Sequence, residues 1–433
     1  VGRKKLIFVK AMGSYYVLLF TVTDCLFVMR ITIIDLLFSW PPHGGADVDV
    51  FHVARGLRAL GHEASLLFVR EASCWERGQA DPGMLPFPAD QISFAENGMT
   101  EENVVAQVGE RVARYEPDFI VLTQGYFLKV PLILALQRYR VISRCYAHET
   151  ACHKDILRFK NGAPCPNEYR RTPDICRACA LESRRADVLK GGGDAWSREY
   201  VATQAWTPAF YDRFIAAMRA LYAVVVTTEQ MRPQVAGLCD RIHIIPHGVD
   251  TARFDPAGMA PQEKPPVILA AGRMEDPAKG MKALLDAAAM LADEGRRFEL
   301  RATLPEGGAY PVWLKPVGKI SHDDMPGLYR EADVCVVPSL WDEPFGIVAL
   351  EAMASALPVC ASRVGGLQDI ILDETTGLLF ERGNAAALAA ALRRLLENGQ
   401  MRRTMGKAGR ARAVEHYGWD ALIERHYPSL FTC

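Results

Sequence analysis

From Met29 onward, short apolar runs alternate with stretches in which apolar residues recur at helical spacing. Residues 31–38, 63–69 and 118–123 read as strands, with helices over 48–60 and 102–115. The run at 140–146 suits one more strand of the set. The rhythm restarts with strands at 224–227, 242–245 and 267–271, a helix at 280–293, strands at 298–302 and 334–337, and a helix at 346–356. Such alternation implies parallel sheets wound by crossover helices. The expected fold class is α/β, in two Rossmann-like domains. Glu263-Lys264-Pro265-Pro266 is a polar, proline-bearing link, so the boundary is expected between 250 and 266. This gives domains over 29–250 and 251–415, with a last segment over 416–433.

The first 28 residues stand apart. Arg3, Lys4 and Lys5 precede an apolar run from 11 to 28 that looks like a signal anchor, although Asp24 interrupts it. An anchor with its positive end inside would carry the rest of the chain out of the cytoplasm. Residues 1–28 are therefore read as an atypical extension, non-native or dispensable, with an anchor and a buried extra strand as the alternatives.

Composition changes the picture mainly by exclusion. A chain of 433 residues has the length of two domains of roughly 200 residues each. Fifty Lys and Arg against 51 Asp and Glu leave no basic excess for nucleic acid, so no such partner is expected. Eleven cysteines are too few and too unevenly spread for a secreted disulfide scaffold. A reducing compartment, the cytoplasm, follows.

The densest chemical signal lies between Ser339 and Glu351, read as Ser-Leu-Trp-Asp-Glu-Pro-Phe-Gly-Ile-Val-Ala-Leu-Glu. Pro344 makes Asp342-Glu343 a loop and lets a helix begin near Phe345 or Gly346. The free amides of that first turn, and the dipole behind them, suit an anion. Glu343 stands just before this end, and Glu351 lies one turn beyond Ile347 on the same face. Upstream, Ala271-Gly272-Arg273 through Lys279-Gly280 joins a strand to a helix, so Arg273 and Lys279 emerge at the carboxyl edge of a parallel sheet, where such folds bind ligands.

Glu343 and Glu351, eight positions apart around Pro-Phe-Gly, resemble the paired-glutamate signature of retaining glycosyltransferases of family 4. The resemblance runs over about 30–430, densely over 242–390. It implies a GT-B fold: two Rossmann-like domains facing a cleft, with the last helix, from Tyr417-Gly418-Trp419, crossing back onto the first domain. It further implies that Glu343 and the amides of Phe345, Gly346 and Ile347 hold donor-sugar hydroxyls while Glu351 binds the ribose diol. Arg273 and Lys279 would neutralise the donor's diphosphate, so that transfer needs no metal cofactor. His148, in Ala147-His148-Glu149 after the strand at 140–146, would reach the reacting sugar. His247 stands where the family commonly has asparagine. Asp369 replaces the usual glutamate and is assigned no role.

In the first domain, Gly44 and Gly45 between a strand and a helix let backbone approach a phosphate or an acceptor. A polar insertion over 150–185 carries Cys152, Cys165, Cys176 and Cys179, with twelve, ten and two residues between them. The two-residue gap suits a tetrahedral ion, and the prolines around it break regular structure, so a structural zinc is one reading; free cysteines in a mobile loop or a redox pair is the other.

The expected activity is a metal-independent, retaining hexosyl transfer from a nucleotide-sugar donor to a glycan or lipid-linked acceptor. A lipid-linked acceptor would bring peripheral contact with the inner face of the membrane. The rivals are a sugar-nucleotide epimerase and a non-catalytic scaffold on the same fold.

Overall fold

The structure, a computed structural model, describes residues 4–11, 14–21, 28–74, 77–190, 193–256 and 265–432. Lys4–Ala11 (β1) and Ser14–Thr21 (β2) pair as an antiparallel hairpin separate from either sheet. The apolar run expected at 11–28 is therefore strand over part of its length, and most of the rest lies outside the described residues. No helix among the described residues is long and apolar enough to cross a membrane.

The first domain is built on β3 (Arg30–Asp35), β4 (Glu63–Glu71), β5 (Ala89–Phe94), β6 (Phe119–Leu122) and β7 (Arg140–Arg144). A small hairpin, β8 (Phe159–Lys160) with β9 (Ala163–Pro164), precedes its last strands, β10 (Ala223–Val226) and β11 (Ile242–Ile244). The sheet order is β11-β10-β7-β6-β3-β4-β5, parallel throughout. The second domain contributes β12 (Val267–Ala270), β13 (Glu299–Ala302), β14 (Leu314–Pro316), β15 (Val334–Val337), β16 (Val359–Ser362) and β17 (Gly377–Phe380). These form a parallel sheet in the order β14-β13-β12-β15-β16-β17. Central strands such as Phe119–Leu122 and Val334–Val337 are buried at every position, because helices cover both faces. That is why they read as continuous apolar runs rather than alternating ones.

The order reverses between β3 and β6 in one sheet and between β12 and β15 in the other. Such switch points open crevices at the carboxyl ends of the strands. The loops after β3, β7, β12 and β15 carry Gly44, His148, Arg273 and Glu343 respectively.

The last helix, Trp419–Leu430, packs on the first domain: Trp419, Leu422, Ile423 and Tyr427 share a core with Ile31, Val50 and Leu57. Its indole stacks on His52 at 4.7 Å between ring centres. Just before it, Val249 N–H donates to Tyr417 O (2.8 Å), so the chain's two crossings between domains lie side by side. The linker around His247 is gripped from below. Arg144 donates to Asp49 (2.6 Å) and to the carbonyls of Ile245 and Pro246, and His247 Nδ1 lies 3.3 Å from Asp49. Of the expected proline link, residues 263 and 264 lie outside the described residues.

The insertion corrects the sequence reading. Much of it is helix, Pro173–Leu189, with Pro173 in the first turn, where its missing N–H costs nothing.

Candidate active site

Helix Ile347–Ala354 starts on Gly346, whose φ of 116° is left-handed. A Cβ there would come within 2.5 Å of Leu367 Cδ2, so the position needs glycine for both conformation and space. The first helical bond runs from Leu350 N to Gly346 O (3.1 Å), leaving the preceding amides without helical partners. This terminus opens on a cleft of about 800 Å³ between the domains, whose walls include Ile347, Glu351 and Arg273 from one side and Gly44 and Gly45 from the other. The domains meet closely here. A Cβ on Gly45 would sit 1.9 Å from Ile347 Cδ1.

Glu351 is buried and accepts the Tyr329 hydroxyl (2.9 Å). Burial pushes its carboxyl up to about 7, against the pull of that hydrogen bond and of Arg253. The Arg273 guanidinium is 66% exposed, with Asp276 at 4.0 Å as its ion pair. It is therefore accessible to a ligand anion. The glycine loop is held by Asp47, whose carboxylate accepts from the amides of Ser39 (3.2 Å), His43 (2.9 Å) and Gly44 (3.2 Å) and from Gln124 Nε2 (2.7 Å). Burial, then the neighbouring Asp35, raises its pKa to about 6.

Glu343 faces elsewhere. It lines a second, polar cavity of about 280 Å³ together with His148. Its Oε1 accepts from Lys279 Nζ (2.7 Å) and from Ser339 Oγ (2.5 Å). Burial favours the neutral acid, but the Lys279 ammonium and these hydrogen bonds outweigh it and hold the carboxyl below its usual range. Lys279 Nζ also lies 4.9 Å from the centre of the Trp341 ring. His148 Nε2 lies 2.7 Å from the carbonyl of Asp342, and its Nδ1 lies 2.8 Å from Gln234 Nε2. A carbonyl only accepts, so Nε2 carries the proton. Thr227 and Thr228 each donate to Pro344 O at 2.9 Å. The first domain thus clamps the peptide on either side of Glu343.

Lys279 Nζ is the counter-ion of Glu343, 2.7 Å away, since a carboxylate kept ionised in a buried place requires one. The paired glutamates line different cavities. The turn at Pro344 and the left-handed Gly346 send Glu343 to the smaller cavity and leave Glu351 on the larger cleft. Phe345 has its side chain in the core, 5.3 Å from the His247 ring, so only its backbone is available to a ligand. Tyr329, Ser339, Gln234, Thr227, Thr228 and Asp47 were not legible as site residues. Apart from Ser339 and Asp47, their partners lie tens of residues away or more in sequence, and no local pattern announces them.

The four insertion cysteines line one pocket of about 50 Å³. Among the described residues, however, no group of three or more His, Cys, Asp and Glu side chains is arranged to hold a metal ion. Cys152, Cys165, Cys176 and Cys179 as placed do not form such a group. Cys176 and Cys179 sit on helix Pro173–Leu189, where Thr172 Oγ1 lies 3.6 Å from one sulfur and Lys160 Nζ 3.3 Å from the other. Burial raises the Cys152 thiol to about 11.

Comparison with known proteins bears on this geometry. Residues 314–412 match the family model described as glycosyl transferases group 1. That stretch holds Glu343 and Glu351 but neither Arg273, Lys279 nor His148. Glycogen synthase of Mycobacterium tuberculosis (strain ATCC 25618 / H37Rv) is 29% identical over 269 residues, covering 59% of this chain and 62% of that protein. D-inositol 3-phosphate glycosyltransferase of Pseudarthrobacter chlorophenolicus is 37% identical over 220 residues, covering 43% and 52%. The matches thus span about half to three-fifths of these curated relatives' length. Among solved structures, sucrose-phosphate synthase of Thermosynechococcus elongatus superposes with a TM-score of 0.65 at 22% identity, covering 93% of this chain and 98% of that one. Anabaena HepE in complex with UDP and glucose gives 0.63 at 17%, covering 94% and 100%. The fold is GT-B.

Proposed function

We propose that the chain is a retaining glycosyltransferase of the family 4 kind, moving a hexosyl group from a nucleotide-sugar donor to a glycan or lipid-linked acceptor. The observation that carries this reading is the convergence on one interdomain cleft of Glu351, Arg273 and the free amides of helix Ile347–Ala354, with Gly44 and Gly45 opposite. Glu351 is the acceptor for a ribose diol. Arg273 and the helix terminus stabilise the charge that develops on a leaving diphosphate, the term worth most in such a reaction. Glu343 and His148 orient the transferred sugar, and the departing phosphate takes the acceptor's proton on the front face. HepE, bound to UDP and glucose, and the relatives named as glycosyltransferases support this donor class. The reaction belongs in the cytoplasm, at the inner face of the membrane where the acceptor is lipid-linked.

The test is a thermal-shift screen of nucleotide sugars on the purified chain, since specific binding raises stability by mass action. Hits are followed by NMR of the product. Retention at the anomeric centre and a new glycosidic bond are expected. An isomerised donor with no acceptor product would instead favour an epimerase.

A further inference from the structure

The cavity beside Glu343 and His148 is built for more than neutral hydroxyls. Arg158, Arg171, Arg363 and Arg382 line it, brought together from the insertion of the first domain and from loops after β16 and β17 of the second. The carboxylates in the same walls are already committed. Glu343 holds Lys279, Asp342 pairs with Arg382, and Glu168 lies 3.0 Å from Arg170 and 3.7 Å from Arg171. Arg363 has Asp373 outside the cavity. Arg158 donates through Nε to the carbonyl of Asn167 (3.0 Å), and among the described residues it makes no ion pair. A forked cation without a carboxylate partner, in a polar cavity where every carboxylate is spent, lacks only an anion. The planar guanidinium matches carboxylate and phosphate oxygens alike.

We infer that this cavity takes an acidic sugar, one carrying a carboxylate or phosphate group, with Arg158 as the residue that selects it and Arg171 assisting from the rim. The inference rests on the proposed glycosyl transfer only in placing a sugar against Glu343 and His148. The anion could belong to the transferred sugar or to the acceptor. At about 280 Å³ the cavity is small for a ligand site, the scale of one sugar unit rather than a chain.

Two arms of one thermal-stabilisation experiment separate the sources. The donor arm compares UDP-glucuronate with UDP-glucose and GDP-mannuronate with GDP-mannose. The acceptor arm, with UDP present, compares glucuronate and glucose 6-phosphate with glucose. The acidic member is expected to bind about tenfold tighter or more in one arm, as charge-assisted contacts do. The preference should collapse in Arg158→Gln and shrink in Arg171→Gln, the latter an exposed position whose change leaves folding intact. Equal binding of acidic and neutral members in both arms overturns the inference, as does an acidic preference that survives both substitutions. Stabilisation by acidic sugars with none by any nucleotide or nucleotide sugar would uphold the cavity and sink the transferase reading instead.

Discussion

Replacing Lys279 by Met tests whether this lysine is first of all a counter-ion. The pair is 2.7 Å apart, with side-chain exposure of 20% for Lys279 and 8% for Glu343. At an effective dielectric of about 20, unit charges at this separation attract by roughly 6 kcal/mol before desolvation is counted. Removing one partner of such a buried pair costs about 3–5 kcal/mol, because the other charge is stranded. The Ser339 hydroxyl still donates to Glu343 and Lys279 is partly solvated, so about 3 kcal/mol is the expected loss at pH 7. In a domain of this size that lowers the melting temperature by about 6–12 °C.

Two controls carry the sign. Glu343→Gln added to Lys279→Met should recover about half the loss or more, since the amide needs no counter-ion. In the wild type the Glu343 carboxyl is held below its unfolded value, so its contribution is present above the unfolded pKa and fades as pH falls through the folded one. In Lys279→Met the carboxyl titrates higher, so the deficit against wild type should narrow between pH 7 and pH 5. Calorimetry of the three proteins across that range measures all of this. A loss under about 1 kcal/mol, or a double variant no more stable than the single, would refute the counter-ion role.

Glu351→Gln should weaken nucleotide-diphosphate binding by about 1.5–3 kcal/mol, and Arg273→Ala, at an exposed site, by about 1 kcal/mol, both read by calorimetric titration. Because the Glu351 carboxyl titrates at about 7, above its unfolded value, the folded protein loses stability as pH rises from the unfolded pKa through 7. Glu351→Gln should therefore be the more stable protein at pH 8, by up to about 3 kcal/mol, and should lose that advantage by pH 4. Transfer is expected to persist after treatment with a chelator, since Arg273 and the helix terminus fill the role of Lewis acid; dependence on added magnesium or manganese would remove that assignment. Metal analysis of protein purified without chelator should find well under one zinc per chain, with the half-buried Cys179 thiol open to alkylation. About one zinc, lost in Cys176→Ser, would restore the tetrahedral site.

What the sequence determined by itself is local and periodic. Buried parallel strands must be apolar at every position, so residues 119–122 and 334–337 could be read without a partner in view. The proline after Glu343 announces a loop there and a helix beginning near Phe345 or Gly346. The positions of Glu343, Arg273 and His148 in loops beyond strand ends followed from that alternation. Direction and pairing did not follow, because they depend on residues distant in the chain. Lys279 meets a carboxylate 64 positions later, and His148 a carbonyl 194 positions away in the other domain. Helix Pro173–Leu189 was misjudged because Pro173 was taken as a break, whereas the first turn of a helix tolerates proline. The arginines around His148 come from three separate stretches of sequence, and each alone reads as a solvated charge. Only packing the insertion of one domain against two loops of the other makes them a site.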